Sequence, residues 1–391
     1  MTELPFGLTA AALADALAEP DPDGLAAGSR LRARHGPELA VAALQQASLR
    51  RRAKAKFGSA ADGLFLTRDG LEQATRPEVA RHHAERFRAA GARRVVDLGS
   101  GIGSDALAFL DAGLEVVAVE RDPATAAVAA ANLAGHAEGR RARVLCADAE
   151  EVADALLEPG VAAFCDPARR SAGRRLWQVG DFTPSWSLVT RLLDGDRAAG
   201  VKLGPALPHA LVPVSAEAEW VTSAGETVEV ALWAGPGAAP GQNVALLLPA
   251  DRLVVPRAAS RALPTGPVGR YLYEPDGAVI RARGLPLLVE QLSAWLLDPQ
   301  IAYLSGDTLV RSPFATAFAV REVLPYDVKV LRRWVRTHEV GALEIKKRGL
   351  DVDPAELRRA LDGRGPGSAT LVLSRTPSGA VAVVVHRVAP A

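Results

Sequence analysis

Cysteine is nearly absent: Cys146 and Cys165 are the only two in 391 residues, too few for a disulfide framework. Both lie in apolar runs of strand type, which makes them small reduced core side chains in a reducing compartment. Lysine is scarce too, with six residues against 40 arginines. That skew runs through the whole chain, reads as a compositional bias and lowers the weight of any single arginine. No apolar run approaches the roughly 18 residues of a membrane-spanning helix. The opening segment carries Glu3 but no lysine or arginine before its apolar stretch, so the charged leader of a signal peptide is missing. There is no H-E-x-x-H, no Ser-His-Asp order and no Cys/His cluster at ligand spacing. Hydrolase and metalloenzyme readings have no residues to rest on, and the expected metal content is none. Together these absences describe a soluble cytoplasmic protein with no membrane partner.

What is present is length, alanine, glycine and patterned hydrophobicity. At about 100–200 residues per domain the chain holds two or three domains, each able to bury a core. Residues 1–90 read as a helical region, with apolar periodicity over Leu8–Ala18, Pro37–Lys56 and Pro77–Ala90. From Arg94 the texture changes to short apolar runs, RRVVDLG, LEVVAVE, ARVLCAD and VAAFCDP, separated by alanine-rich helical segments. Such alternation predicts a doubly wound α/β domain with a parallel sheet buried on both faces, over residues 91–255. EWVTSAGETVEVALWAG and QNVALLLPA read as two strands of one hairpin about Gly235–Gly241. Residues 256–319 form a connecting segment of no clear period, with a short helix around Leu287–Leu297. The last stretch, 320–391, follows a compact α+β pattern.

The strongest chemical signal is Val95-Val96-Asp97-Leu98-Gly99-Ser100-Gly101-Ile102-Gly103-Ser104-Asp105. A strand runs into a glycine-rich turn and then a helix N-terminus, which lets a ligand approach the backbone closely. A nicotinamide dinucleotide brings a pyrophosphate to such a turn, and the carboxylate of Asp97 would repel it. A sulfonium ligand with an amino-acid tail brings an ammonium, which Asp97 attracts. The residue choice therefore favours S-adenosylmethionine. Glu120 closes the next strand about 20 residues on, where an acid accepts from both ribose hydroxyls of a bound nucleoside. Asp148 follows the third strand, and Asp166-Pro167 the fourth. Asp122 is equally a ligand contact or, with Pro123, an ordinary helix start.

The order DLGSGIGSD, AVERDP, CADAEEV and FCDPARR resembles class I S-adenosylmethionine-dependent methyltransferases. More narrowly, DGLEQATRPEVA, VKLGPALPHAL, YLYEPDG, LPYDVK and LEIKKRGLDVDPAELRR are similar to the bacterial group in which a THUMP-like domain follows the methyltransferase domain, a group distantly similar to trimethylguanosine synthases. The resemblance implies a Rossmann-like seven-stranded sheet and S-adenosyl-L-methionine as cofactor. It places Asp97, Gly99, Gly101 and Gly103 around the methionine part, Glu120 on the ribose and Asp148 on the adenine, with Gln73 and Thr75 closing the site. Asp166 and Pro167 match the start of an Asn/Asp-Pro-Pro-aromatic motif lining the acceptor pocket. Here Ala168 replaces the second proline and Arg169 the aromatic, so stacking of a base would have to come from Phe182 or Trp186.

RNA is the partner implied; the alternatives are a methyltransferase of a small molecule or protein, and a non-catalytic S-adenosylmethionine-binding protein. Arg169, Arg170, Arg174 and Arg175 follow the acceptor motif closely, as a solvated loop or as a phosphate contact. Arg50, Arg51, Arg52, Lys54 and Lys56 read as a solvated helix face. The net charge of +1 conceals an asymmetry: residues 321–391 hold 13 basic and 8 acidic residues, a net of +5, against −4 for the rest. Lys346, Lys347 and Arg348 are the candidate backbone contacts in that basic tail.

Overall fold

The computed structural model describes residues 4–169, 179–257 and 262–389. The chain divides into two compact units, Met1–Ala218 with Glu229–Pro240, and Glu219–Val228 with Gly241–Ala391.

The first unit opens with helices α1 (Ala10–Ala18), α2 (Leu25–His35) and α3 (Pro37–Phe57), then α4 (Arg68–Gln73) and α5 (Pro77–Ala89). Strands and helices then alternate: β1 (Arg94–Leu98), α6 (Ser104–Asp111), β2 (Glu115–Glu120), α7 (Pro123–Ala134), β3 (Ala142–Cys146), α8 (Ala149–Leu156) and β4 (Ala162–Cys165). A two-residue pair, β5 (Ala168–Arg169) and β6 (Phe182–Thr183), precedes α9 (Trp186–Leu193) and β7 (Ala199–Leu203). The hairpin β8 (Glu217–Ser223) and β9 (Glu226–Ala234) continues the sheet, and these strands of a nine-stranded whole run β8-β9-β7-β4-β1-β2-β3. The strands from β7 to β3 are parallel and β9 runs antiparallel to β7. The parallel strands are the doubly wound core expected from the apolar runs, and with β8 and β9 they make the seven-stranded Rossmann-like arrangement that the resemblance implies, within a sheet of nine.

The second unit takes the inner part of the β8–β9 hairpin and adds β10 (Gln242–Leu247) and β11 (Asp251–Pro256), then β12 (Tyr271–Pro275), α10 (Gly277–Arg281), α11 (Leu285–Leu292), β13 (Trp295–Asp298) and β14 (Ile301–Gly306). The basic tail supplies β15 (Ala315–Pro325), α12 (Val328–Thr337), β16 (Val340–Lys347), α13 (Pro354–Leu361), β17 (Gly367–Thr376) and β18 (Gly379–Arg387). Its sheet runs β13-β14-β12-β15-β18-β17-β16. Residues 271–306, which show no clear period, thus supply three strands of this sheet. The helix expected through Leu297 stops at Leu292, where Ser293 turns left-handed at φ 50° and the chain enters β13.

Three expectations change. The run EWVTSAGETVEVALWAG is itself a hairpin, because Ala224 and Gly225 take φ of 50° and 79°, the paired positive angles of the tightest two-residue turn. QNVALLLPA then pairs with β8 and β11, not with β9. Cys165 is buried but Cys146 is exposed, because β3 is the edge strand of its sheet. The basic run on α3 is a solvated face only in part: Arg51, Arg52 and Lys54 are exposed, but three of the five side chains also reach backbone carbonyls. Arg50 is buried and donates to the carbonyls of Leu64 and Asp62, Arg51 donates to Pro20 and Glu19, and Lys56 to Leu71 and Glu72.

Aromatics are 5% of the chain, yet four of them concentrate under the sheet. Phe87, Phe109, Phe164 and Trp233 pack edge to face, with centroids about 5.4–6.2 Å apart. Into this apolar cluster the fold inserts a charge. His83, on α5, is fully buried, and its ring bridges Asp105 of α6 at 2.8 Å and Glu229 of β9 at 2.7 Å. Burial alone would keep the ring neutral. The carboxylates of Glu229 and Asp105 outweigh it and push the His83 pKa up to about 10. A raised folded-state pKa stabilises the protein fully below the ordinary value of 6.5, and that stabilisation is lost as the pH climbs through about 10. Thermal melts between pH 6.5 and 10.5 should therefore show a falling midpoint, with a slope that His83→Gln flattens. The same substitution should cost on the order of 3–5 kcal/mol at neutral pH, because two buried carboxylates lose their cation.

Candidate active site

The C-terminal ends of β1, β2, β3 and β4 carry Asp97, Glu120, Asp148 and Asp166, in that order. Because these strands are parallel, all four acids reach the same sheet edge. The strand order reverses between β1 and β4, which leaves a crevice there.

Between β1 and α6 the chain turns through Gly99, Gly101 and Gly103, at φ of 89°, 54° and 87°. Only glycine holds such angles without strain. At Gly99 there is a second reason: a Cβ would sit 3.3 Å from the Asp166 carbonyl, so the turn passes directly over the β4 edge. The turn is held from below by Asn132 of α7, whose buried amide donates to the carbonyls of Ile102 and Phe65 and accepts from the Phe65 N–H. The loop that follows the N-terminal helices is thereby locked to the glycine turn. Ser104 at the start of α6 donates to the Thr75 carbonyl and fixes the segment before α5.

Each acid has a different environment. Glu120 is half-buried and accepts from the N–H groups of Gly101 (3.1 Å) and Asp122 (2.9 Å), one on each oxygen. Asp148 is half-buried and caps α8 through the Glu150 N–H. Asp122 is exposed and caps α7, accepting from both the N–H and the hydroxyl of Thr125, which hold its carboxyl below the usual range. Asp97 is buried, and its Oδ2 has no hydrogen-bond partner; nor has the Ser100 hydroxyl in the turn. Burial, with the charges of Asp105 and Asp166 nearby, pushes Asp97 well above the carboxylate range. An unpartnered buried carboxyl beside a glycine cradle fits a ligand with a cationic donor.

The structure also brings in a residue given no role from sequence alone. Lys202 of β7 projects its Nζ to 2.5 Å from Asp166 Oδ2 and 2.9 Å from the Thr75 hydroxyl. Thr75 is buried and donates to Asp105 Oδ2 at 2.5 Å, so Lys202, Asp105, His83 and Glu229 form one chain of contacts. Lys202 lies inside VKLGPALPHAL, and a lysine flanked by apolar strand residues is the signal that marks it. Gln73 ends α4 and is exposed. Pro167 is buried, and the Arg169 backbone pairs with Phe182. The Arg169 side chain, Arg170, Arg174 and Arg175 lie outside the described residues. Phe182 is buried against Trp186, centroids 5.4 Å apart.

In the second unit, Lys346 and Arg348 turn inward. Lys346 pairs with Glu274 at 2.8 Å; Arg348 donates to the carbonyls of Ala302 and Pro275 and lies over the Tyr303 ring. Lys347 is exposed. On α12, Lys329, Arg333 and Arg336 are exposed at spacings of four and three, one helical face, and none is ion-paired.

Asp97→Asn is expected to raise the melting temperature of the ligand-free protein above the ordinary carboxylate pKa, since a charge with an unpartnered oxygen leaves the core. It should weaken S-adenosylmethionine binding by about tenfold or more, roughly 1.4 kcal/mol, in calorimetric titration. Unchanged binding would separate Asp97 from the ligand.

Comparison with known proteins agrees with this geometry. A family model described as THUMP domain-like matches residues 315–387, and a domain of unknown function matches 7–53. An uncharacterized S-adenosylmethionine-dependent methyltransferase of Mycobacterium tuberculosis, recorded for strains CDC 1551 and H37Rv, is 33% identical over 369 residues, 90% of this chain and 98% of the relative. The crystal structure of a candidate methyltransferase from Porphyromonas gingivalis W83 shares the fold, with a TM-score of 0.79 at 21% identity over 97% of this chain and 98% of that one. Among the described residues no helix is long and apolar enough to cross a membrane. A glycine turn over a sheet edge lined by acids, in a chain matched along nine-tenths of its length, makes this protein a member of the S-adenosylmethionine-dependent methyltransferases.

Proposed function

We propose that the chain methylates RNA, with residues 91–255 as the catalytic domain and 320–391 holding the nucleic acid. The observation that carries the cofactor half of this reading is the unpartnered Asp97 carboxyl beside the turn Gly99–Gly103. Asp97 and the three glycines hold the amino-acid end of S-adenosylmethionine. Glu120, already oriented by two backbone amides, keeps free lone pairs for the ribose hydroxyls, and Asp148 accepts from the adenine amino group. Asp122 borders the ribose, and Gln73 and Thr75 close the site. Asp166, Pro167 and Arg169 form the acceptor side.

The cofactor supplies a methyl group on a sulfonium, a good leaving group. The work left to the protein is therefore positioning and exclusion of water. Asp166 orients the acceptor at the strand edge. The basic tail supplies the affinity for RNA. Its exposed cationic face is that of Lys329, Arg333 and Arg336 on α12, with Lys347 and Arg359 also exposed in the tail, whereas Lys346 and Arg348 are drawn inward. Phosphate contact is made by charge and not by base shape, so target choice rests with the acceptor pocket.

The test is transfer of tritium from labelled S-adenosylmethionine to RNA from a strain lacking this protein, followed by nucleoside analysis. Label in one nucleoside is expected. Label confined to protein or small molecules would reassign the acceptor. In filter binding to the same RNA, replacing Lys329, Arg333 and Arg336 by alanine should weaken binding and reduce the slope of log K against log salt by about 2, at roughly 0.7 per single-strand phosphate contact. Lys346→Ala should change neither the affinity nor the slope appreciably.

A further inference from the structure

We infer that Lys202 is a positioning residue for the methyl acceptor: it holds Asp166 as a fixed carboxylate at the β4 edge, so that the site takes a nucleophile carrying its own N–H or O–H hydrogen. The inference rests on the proposed placement of Asp166 beside the acceptor.

Three observations carry it. First, Lys202 makes two contacts that fix its ammonium, to Asp166 Oδ2 at 2.5 Å and to the Thr75 hydroxyl at 2.9 Å. The Thr75 hydroxyl donates to Asp105 and accepts from Lys202, so its single proton is committed and the direction of the chain is set. Asp105 is held in turn by His83, and His83 by Glu229. Lys202 is therefore anchored from a fully buried cluster and not by a flexible stem.

Second, Asp166 is the one member of the chain near water: its side chain keeps 32% of its surface, while Lys202 keeps 12% and His83 none. Only one oxygen of Asp166 is bound by Lys202; the other is left as an acceptor at the crevice. The titratable groups that act on this pair are the carboxyls of Asp97, Asp105 and Glu229 and, on the cationic side, Lys56 of α3. Burial drives the Asp166 carboxyl upward, and Lys202 pulls it back.

Third, the motif position that carries an aromatic in the resembled pattern is an arginine here. Ala168 and Arg169 follow Pro167, and Phe182 is buried against Trp186. Among the described residues, the orienting contact offered at this edge is a hydrogen bond to Asp166. A fixed carboxylate accepts and cannot donate, so it aligns an amine, amide or hydroxyl and repels a carboxylate or phosphate oxygen.

The test uses the full chain with S-adenosylhomocysteine bound. Carbon-13 NMR of the aspartate carboxyls, assigned with Asp166→Asn, gives the pH midpoint of Asp166 without any acceptor. Lys202→Met should raise that midpoint by at least one pH unit, while calorimetric affinity for S-adenosylhomocysteine stays within about threefold of wild type. In the tritium assay on RNA, the same variant should lose on the order of a hundredfold in kcat with little change in KM, and the acid limb of its pH profile should move upward with the NMR midpoint. Thr75→Val, which releases Lys202 but keeps the buried shape, should give a smaller loss in the same direction and serves where Lys202→Met fails to fold. An unmoved Asp166 midpoint overturns the proposal, as does loss of S-adenosylhomocysteine binding in step with kcat. If wild type labels no RNA while the Asp166 midpoint shifts as expected, the RNA reading fails and the role of Lys202 stands.

Discussion

A chain of six side chains, Asp166, Lys202, Thr75, Asp105, His83 and Glu229, runs from the sheet edge into the aromatic core of the first unit. Each cation in it touches an acid on one side and a second acceptor on the other. Stripping charges of water is expensive, so such a chain persists only when every member is paired, and removing one leaves its neighbours uncompensated. It draws on the segment before α5, on α5 itself, α6, the β4 end, β7 and β9. His83 and Glu229 lie 146 residues apart, and packing alone would let these elements slide. Directional contacts fix where each one stops.

The glycine turn depends on this frame and on a second one. Asn132 ties the Ile102 carbonyl to the backbone of Phe65, and Gln46 on α3 holds Leu66 by its N–H and carbonyl. The N-terminal helices thus act as a buttress beneath the turn. Against that rigid background Asp97 and Ser100 keep buried polar atoms without partners, a local cost of about 1–3 kcal/mol each that a bound ligand offsets. Unsatisfied groups held in place by satisfied ones are what a preformed binding site requires.

Charge tells a related story in the second unit. The tail is basic by composition, but Glu274 captures Lys346 and approaches Arg348, two of the three residues that a reading of adjacent charges singles out. The outward charge belongs to α12, where the 3.6-residue period collects Lys329, Arg333 and Arg336 on one side while Leu331 and Val335 bury the other.

Sequence by itself determined the alternation of β1 to β4 with their helices, the glycine turn, the four acids at the strand ends, and the α+β pattern of the tail. Each of these is local: apolar runs, caps such as Asp122-Pro123, and glycines at positive φ need only near neighbours. Tertiary structure alone decided the hairpin at Ala224-Gly225, the strands within 271–306, the exposure of Cys146, and the spending of α3 arginines on loop carbonyls. It also decided that Lys202 meets Asp166 and that Thr75 joins the buried chain of contacts. Those outcomes depend on which strand lies beside which and on which charge finds its partner in the folded chain, at separations from 12 residues (Arg50 to Asp62) to 146 (His83 to Glu229), and no local period or motif encodes such pairings.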